Sequence, residues 1–546
     1  MKRLACLLVA CMLLCGLFGG CGDDGTGKGF RLPLAAEPAQ LDPQMATDSA
    51  AITVVTALFE GLTRLDSTGQ AVPGAADWTV SADGLTYTFT LKESYWSTLK
   101  LRGTETPWDD PVQVVADDFV YGLQRALSPE TGAPAAKKLY AIAGARAVHE
   151  GKQPVDTLGV QAVSDTVLTI TLTAPDEDFP AVLATPVCMP CSRAFFAYTG
   201  GRYGLEEEYL ISNGAFWLTA WNHDASLLLY KNEQYHAADA IAPEAVRFVI
   251  NAEETASALG TGALDVAALL PEQVTPARAA GATVVELEDT LRSLWFNASA
   301  DPLSVPAIRQ ALRDSVEWGT VYTYLEKAGE TPAVGYIPPA AVVTGNEVYR
   351  TPENQRPFTT RVEQAQAALR QGLAVLYPDK DNPKLPTVTV VAADDDVSAN
   401  LARYIIQSWQ KNLKLSVTLV TVPAAQLNKG MADGFYPGAE AVIYTHTPTG
   451  LTGAENLSLF ATGGVGNRGG FTSKAVDTAV TAALRGGRSE LEALESLLWE
   501  QCPTLPLSYP KRYYGIAPGV EGVTVRPFGG GVYGSPLAFY EAKKWD

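Results

Sequence analysis

Apolar and polar residues alternate along Leu85-Thr-Tyr-Thr-Phe-Thr-Leu91, and a period of two marks a strand with one buried face. Val167-Leu-Thr-Ile-Thr-Leu172 repeats the pattern, and Ser81-Ala-Asp-Gly84 supplies turn residues ahead of the first strand. Between them the period changes. Residues 117–127 set Phe119, Leu123 and Ala126 on one helical face, and Pro129 stops the run. Further on, Thr387-Val-Thr-Val-Val391 predicts a short apolar strand. Residues 399–413 predict a helix with Leu401, Tyr404, Ile405 and Trp409 on its apolar face, and Leu415-Ser-Val-Thr-Leu-Val420 predicts a second alternating strand. Strand, helix and strand in that order form a βαβ unit, with parallel strands and a right-handed crossover.

Ligands of such sheets bind beyond the carboxyl ends of the strands. Asp394-Asp-Asp396 falls at that place. The three acids can be read as a Ca²⁺ or amine site. They can equally be read as helix-terminal acids favoured by the macrodipole, with Ser398 or Asp396 as the cap. Asp379-Lys-Asp-Asn-Pro-Lys-Leu-Pro386 predicts an exposed connector.

A length of 546 residues fits two to four domains, and 47% hydrophobic against 18% charged residues supports a packed core. Sixty acidic against 41 basic residues leave a net charge of −19, which repels phosphate backbones and argues against a nucleic-acid partner. Four histidines (His149, His223, His236 and His446) give little material for His-based metal or base chemistry. The chain contains no Gly-x-Ser-x-Gly elbow, no His-Glu-x-x-His, no phosphate-cradling Gly-Lys-Ser/Thr loop and no dinucleotide fingerprint. Neither an enzyme nor a bound metal or cofactor is expected. Cys188-Met-Pro-Cys191 leaves three readings open: buried structural thiols or a local disulfide, a redox pair, or half of a zinc site.

The amino terminus predicts an export leader over residues 1–20. Lys2 and Arg3 precede an apolar run from Leu4 to Phe18, too short to span a bilayer. Phe18-Gly-Gly-Cys21 resembles the bacterial lipobox, with Phe18 where leucine is usual. That resemblance implies cleavage and lipidation at Cys21. Residues 21–29, rich in Gly and Asp, would then be a flexible tether. Two acyl chains give stable anchoring, at about 0.8 kcal/mol per buried CH₂.

Several passages together resemble bacterial extracellular solute-binding proteins of family 5, the oligopeptide- and dipeptide-binding subunits of ABC importers. They include Glu37-Pro-Ala-Gln-Leu-Asp-Pro43, Leu58-Phe-Glu-Gly-Leu-Thr-Arg-Leu-Asp66 and the stretch from Trp78 to Lys92. Ala116-Asp-Asp-Phe-Val-Tyr121, Arg125-Ala-Leu127, Ser212-Asn-Gly-Ala-Phe216, Trp221, Phe296-Asn297, Pro503-Thr-Leu-Pro506 and Arg526-Pro-Phe528 follow in the family's order.

The resemblance implies an α/β fold of two lobes joined by a hinge, with an additional α+β domain in the first lobe. Residues 30–68, 198–288 and 506–546 would build the first lobe, 69–197 the additional domain and 289–505 the second lobe. It also implies a monomer on the outer face of the cytoplasmic membrane, extracellular or periplasmic. There it would capture oligopeptides and deliver them to permease subunits driven by separate ATPases.

By the same resemblance the solute would meet Glu37, Pro38, Ala39 and Gln40 in the first lobe, where Pro38 lacks an N–H. In the second lobe it would meet Tyr444, Thr445, His446, Thr447 and Thr449, after a strand matching residues 439–444. His446 can also be read as a loop residue that touches no ligand. Peptide-binding members carry an aspartate near Thr449 that pairs with the ligand's ammonium, and an arginine near Ile443. This chain has neither. Either Glu37 or one of Asp394 to Asp396 takes over, or the solute is not a simple free-amine peptide. A metal chelate or opine-like compound is then an alternative solute, and a thiol–disulfide oxidoreductase using Cys188 and Cys191 an alternative function.

Overall fold

The computed structural model describes residues 29–66, 70–98, 108–432, 434–529 and 536–544. The leader, Cys21 and the tether up to residue 28 lie outside the described residues.

The chain enters a four-stranded mixed sheet at Phe30–Leu34, parallel to Ala245–Ile250. Ser226–Lys231 and Phe216–Asn222 continue the sheet antiparallel. Inserted between these strands in sequence is an antiparallel sheet of Ala76–Val80, Thr86–Leu91, Val167–Thr171 and Val160–Ser164. Both strands expected from alternation are present, and the inward residues Tyr87, Phe89, Leu168 and Ile170 are buried. The expected helix runs from Ala116 to Leu127, with Phe119, Leu123 and Ala126 fully buried. Asp118 closes its first turn, its carboxylate accepting from Val115 N and from Trp96 Nε1, each at 3.0 Å. Gly122 on this helix abuts the Cys188–Cys191 segment so closely that a Cβ there would collide with the Met189 carbonyl oxygen.

From Leu291 to Tyr509 a second body forms around six strands. Their order is Thr331–Pro332, Thr504–Tyr509, Leu291–Phe296, Ala441–His446, Val388–Ala393 and Val417–Val422. The βαβ unit is present: Val388–Ala393 and Val417–Val422 are parallel and joined by the helix Asp396–Leu413. Its strands begin later than alternation predicts. The helix cap is Asp395 rather than Ser398 or Asp396, its carboxylate accepting from Ser398 N at 2.9 Å. Such a cap contributes about 1 kcal/mol.

Alternate residues of the central strands feed two cores. Leu294, Phe296, Val390, Ala392, Ala441 and Ile443 pack with Leu401, Ile405 and Trp409 of the Asp396–Leu413 helix on one face. On the other, Trp295, Val391, Ala393 and Val442 pack with Leu427 and Met431 from the Ala424–Ala432 helix. Burying a tryptophan such as Trp409, which is 0% exposed, contributes about 3–5 kcal/mol.

The buried apolar residues divide the molecule in two. One continuous core draws on residues 30–282 and 516–542, and the remaining cores draw almost entirely on 291–509. The chain passes between them at 288–290 and again at 510–511, since Thr504–Tyr509 stays in the six-stranded sheet. Arg512–Ile516 instead joins Val266–Leu269 and Thr283–Leu287 in a three-stranded sheet of the first lobe. The fold is two-lobed and mixed α/β. Among the described residues no helix is long and apolar enough to cross a membrane.

Candidate functional site

The six-stranded sheet reverses its winding at two adjacent parallel strands. From Val388–Ala393 the chain moves outward to Val417–Val422. From Ala441–His446 it moves the opposite way, through helices Lys474–Arg485 and Arg488–Gln501, to Thr504–Tyr509. Such a switch point leaves a crevice outside the carboxyl ends of the two strands. Here the two strands lead into Asp394–Asp396 and into the turn from Thr447 to Gly450. Leu291 lies opposite His446 in register, so the interlobe crossing at 288–290 sits at the same edge of the sheet. Thr290 and Thr447 join their hydroxyl oxygens at 3.0 Å. The switch point therefore lies beside the hinge crossing.

Tyr444, Thr445 and His446 belong to the strand itself, so His446 is not a loop residue. The imidazole lies parallel to the Tyr444 ring, centroids 6.2 Å apart, and edge-on to Trp295 at 5.4 Å. Its Nδ1 is sealed from solvent and, among the described residues, has no hydrogen-bond partner. Burial, and secondarily the charge of Arg468, push its pKa down to about 4 from an ordinary 6.5. Thr445 faces Arg292 across the ladder, and Arg292 is committed to an ion pair with Glu330 at 2.7 Å. Thr449 is exposed on the turn.

The sign of the His446 shift yields a prediction. Because the folded imidazole binds its proton less readily than the unfolded one, its stability contribution is complete above pH 6.5. It is lost as the pH falls towards 4. His446→Gln should flatten this part of the acid limb in urea titrations between pH 4 and 7. An unchanged limb would rule the assignment out.

Arg468, from a loop some twenty residues downstream, places its guanidinium carbon 5.4 Å from the Tyr444 ring centroid. Nothing in the linear sequence signals this approach. It puts a cation, not a carboxylate, beside the strand. In the acidic stretch, Asp395 is engaged as the helix cap, while Asp394 and Asp396 are exposed. Among the described residues no group of three or more His, Cys, Asp or Glu has a metal-binding arrangement.

In the first lobe, Glu37 follows the Phe30–Leu34 strand and braces a hairpin turn. Its carboxylate accepts from Trp221 Nε1 and Asp224 N at 2.9 Å each, and meets His223 Nδ1 at 2.6 Å. Burial pushes this carboxyl up, but the three hydrogen bonds outweigh it and hold it below its usual range. Pro38 is buried and Ala39 exposed. Gln40 lines a 680 Å³ cavity with Tyr121, Arg125, Phe196 and Tyr203. Among the described residues no hydrogen bond or ion pair joins residues 37–40 to residues 444–449.

Cys188 and Cys191 are free, buried thiols, each pushed up to about 12 by burial. A thiol held so far above neutrality supplies almost no thiolate, the nucleophile that disulfide exchange needs. This geometry gives the oxidoreductase reading no support.

The profile of "Bacterial extracellular solute-binding proteins, family 5 Middle" matches residues 71–459. The chain is 30% identical over 425 residues to the oligopeptide-binding protein OppA of Bacillus subtilis, covering 74% of each. It is 28% identical over 401 residues to a probable deoxycholate-binding periplasmic protein, YgiS, of Escherichia coli, covering 72% of this chain and 71% of that one. Its fold resembles the substrate-binding domain of an oligopeptide ABC transporter from Bacillus anthracis, with a TM-score of 0.65 and 24% identity. That match covers 95% of this chain and 99% of the other. The chain belongs to family 5 of the bacterial extracellular solute-binding proteins.

Proposed function

We propose that this protein is the solute-binding subunit of an ABC importer and that its solutes are peptides. It would be anchored through a diacylated Cys21 outside the cytoplasmic membrane and deliver its cargo to permease subunits. The observation that carries the reading is the placement of the sheet's switch point beside the hinge crossing. A solute held there touches both lobes, so closure buries it and opening releases it. In this reading residues 69–197 are the additional domain of the first lobe, and the return crossing falls at 510–511 rather than 506.

Recognition would rest on backbone pairing of an extended peptide and on the hydroxyls of Thr445, Thr447 and Thr449. Hydrated side-chain pockets would keep sequence preference low. Glu37 is a poor substitute for the missing amine anchor because three donors already occupy its carboxylate.

A second reading, a non-peptide solute, is favoured by one observation. Arg468 sets a guanidinium against the Tyr444 ring, where an amine-binding site would want a carboxylate. The naming of a relative as deoxycholate-binding is consistent with it. Residues 22–546, purified natively and then denatured, should release a mixture of peptides identifiable by mass spectrometry. A single defined non-peptide compound would replace the peptide reading with the second one.

A further inference from the structure

The division of the core between the lobes has one exception among the described residues. Every buried apolar residue in the second-lobe cores comes from 291–509 except Phe528. Its chain neighbours belong to the first lobe: Val525, three residues earlier, and Leu537, Phe539 and Ala542 all sit in the first-lobe core. Thr524–Val525 is moreover paired with Leu537–Ala538. Phe528 itself is 3% exposed, within the core that holds Trp295, Tyr336 and Phe460. Arg526 and Pro527 are thus a third passage between the lobes, beside the covalent crossings at 288–290 and 510–511.

All three passages converge on one carboxylate. Asp289, in the first crossing, is fully buried. It accepts from Arg512 Nε at 2.8 Å and pairs with Arg512 Nη2, just beyond the second crossing. It also accepts from the backbone N–H of Phe528 at 2.6 Å. Phe528 has a φ of 57°, a left-handed conformation that costs a non-glycine residue on the order of 1 kcal/mol. The Asp289 bond and the burial of the ring offset that cost.

We propose that Phe528 is a positioning residue for solute capture: a plug from the first lobe, seated in the second, that holds the hinge near the capturing geometry. In a hinge of two crossings alone, the separation of the lobes would depend on those short segments. With the plug seated, opening beyond a set angle must either withdraw a phenylalanine from a packed core or break the Asp289 cluster. Both are costly, so Phe528 limits opening and keeps the closure-competent population high. The inference rests on the two-lobed fold, not on the identity of the solute.

The test uses residues 22–546 stripped of solute by unfolding and refolding. Spin labels are attached at Glu233→Cys in the first lobe and Glu326→Cys in the second, both exposed positions. Phe528→Ala should add a population at longer interlobe distance that the parent lacks, and Phe528→Leu should remove most of it. Asp289→Asn, which keeps the shape but not the charge, should move the distance in the same direction. A tenfold fall in the closure-competent fraction would raise the apparent Kd for solute about tenfold. If Phe528→Ala lowers thermal stability but leaves the distance distribution unchanged, Phe528 is core packing only and the proposal falls. Should Phe528→Ala fail to fold, an unchanged distribution in the Asp289→Asn variant overturns it. The distance is read without solute, so a wrong assignment of the solute leaves this result intact.

Discussion

Glu495→Ala should destabilise the second lobe by about 3–5 kcal/mol, the range for removing one partner of a buried ion pair. Glu495 and Arg350 have side chains 5% and 4% exposed, with Nη2 to Oε1 at 2.6 Å. The same carboxylate accepts from Tyr349 OH at 2.8 Å and from Tyr336 N at 2.7 Å. Truncation takes this acceptor from the Arg350 guanidinium, the Tyr349 hydroxyl and the backbone N–H groups of Tyr336 and Ile337, and their desolvation is then less compensated. Glu495→Gln keeps the volume and one acceptor oxygen, so it should cost less than Ala. A two-lobed chain need not unfold in one step. Hydrogen exchange of peptides covering 336–350 is therefore the better measurement, and Glu495→Ala should speed it far more than exchange in the first lobe. A loss below about 1 kcal/mol, with exchange unchanged there, would mean that the pair contributes no more than a surface bridge.

The sequence reveals the βαβ unit because its helix has one apolar stripe and its second strand one exposed face. Where both faces are buried, alternation carries less information. Val388–Ala393 is buried at five of its six positions and extends two residues past the expected end at Val391. The following strand starts at Val417 because Lys414 ends the helix in a left-handed conformation, φ 58°, and the chain needs a turn before it can pair.

The site was less legible for a related reason. Thr445 and His446 look like loop residues by polarity, yet pairing with Arg292 and Leu291 holds them in the sheet. Propensity is overridden where a neighbouring strand supplies the ladder. Arg468 and Asp289 were invisible because their importance comes from neighbours far away in sequence. Family resemblance proposes ligand-facing stretches but does not say which carboxylates are already engaged. That required seeing Glu37 against Trp221, His223 and Asp224, and Asp395 against Ser398.

Asp42→Ala should cost about 3–5 kcal/mol as well, with a functional consequence that Glu495→Ala lacks. Asp42 pairs with Arg125 of the Ala116–Leu127 helix at 2.7 Å, both side chains at least 92% buried by their exposures of 7% and 8%. Arg125 Nη1 also reaches Gln44 Oε1 at 2.5 Å, and the guanidinium lies 4.1 Å from the Phe196 ring centroid. The cluster binds the segment that begins the first lobe to the inserted α+β sheet region. Asp42 is two residues beyond Gln40, so loosening it should release one wall of the proposed first-lobe subsite. Exchange should quicken over 40–45 and 116–127, and retention of the co-purified solute should fall. Asp42→Leu combined with Arg125→Met should recover much of the stability, because replacing a buried pair with apolar residues removes the stranded charge. If the double variant regains stability but still loses its solute, the pair's role is to position residues 37–40. If both recover together, the Asp42→Ala defect was one of stability alone.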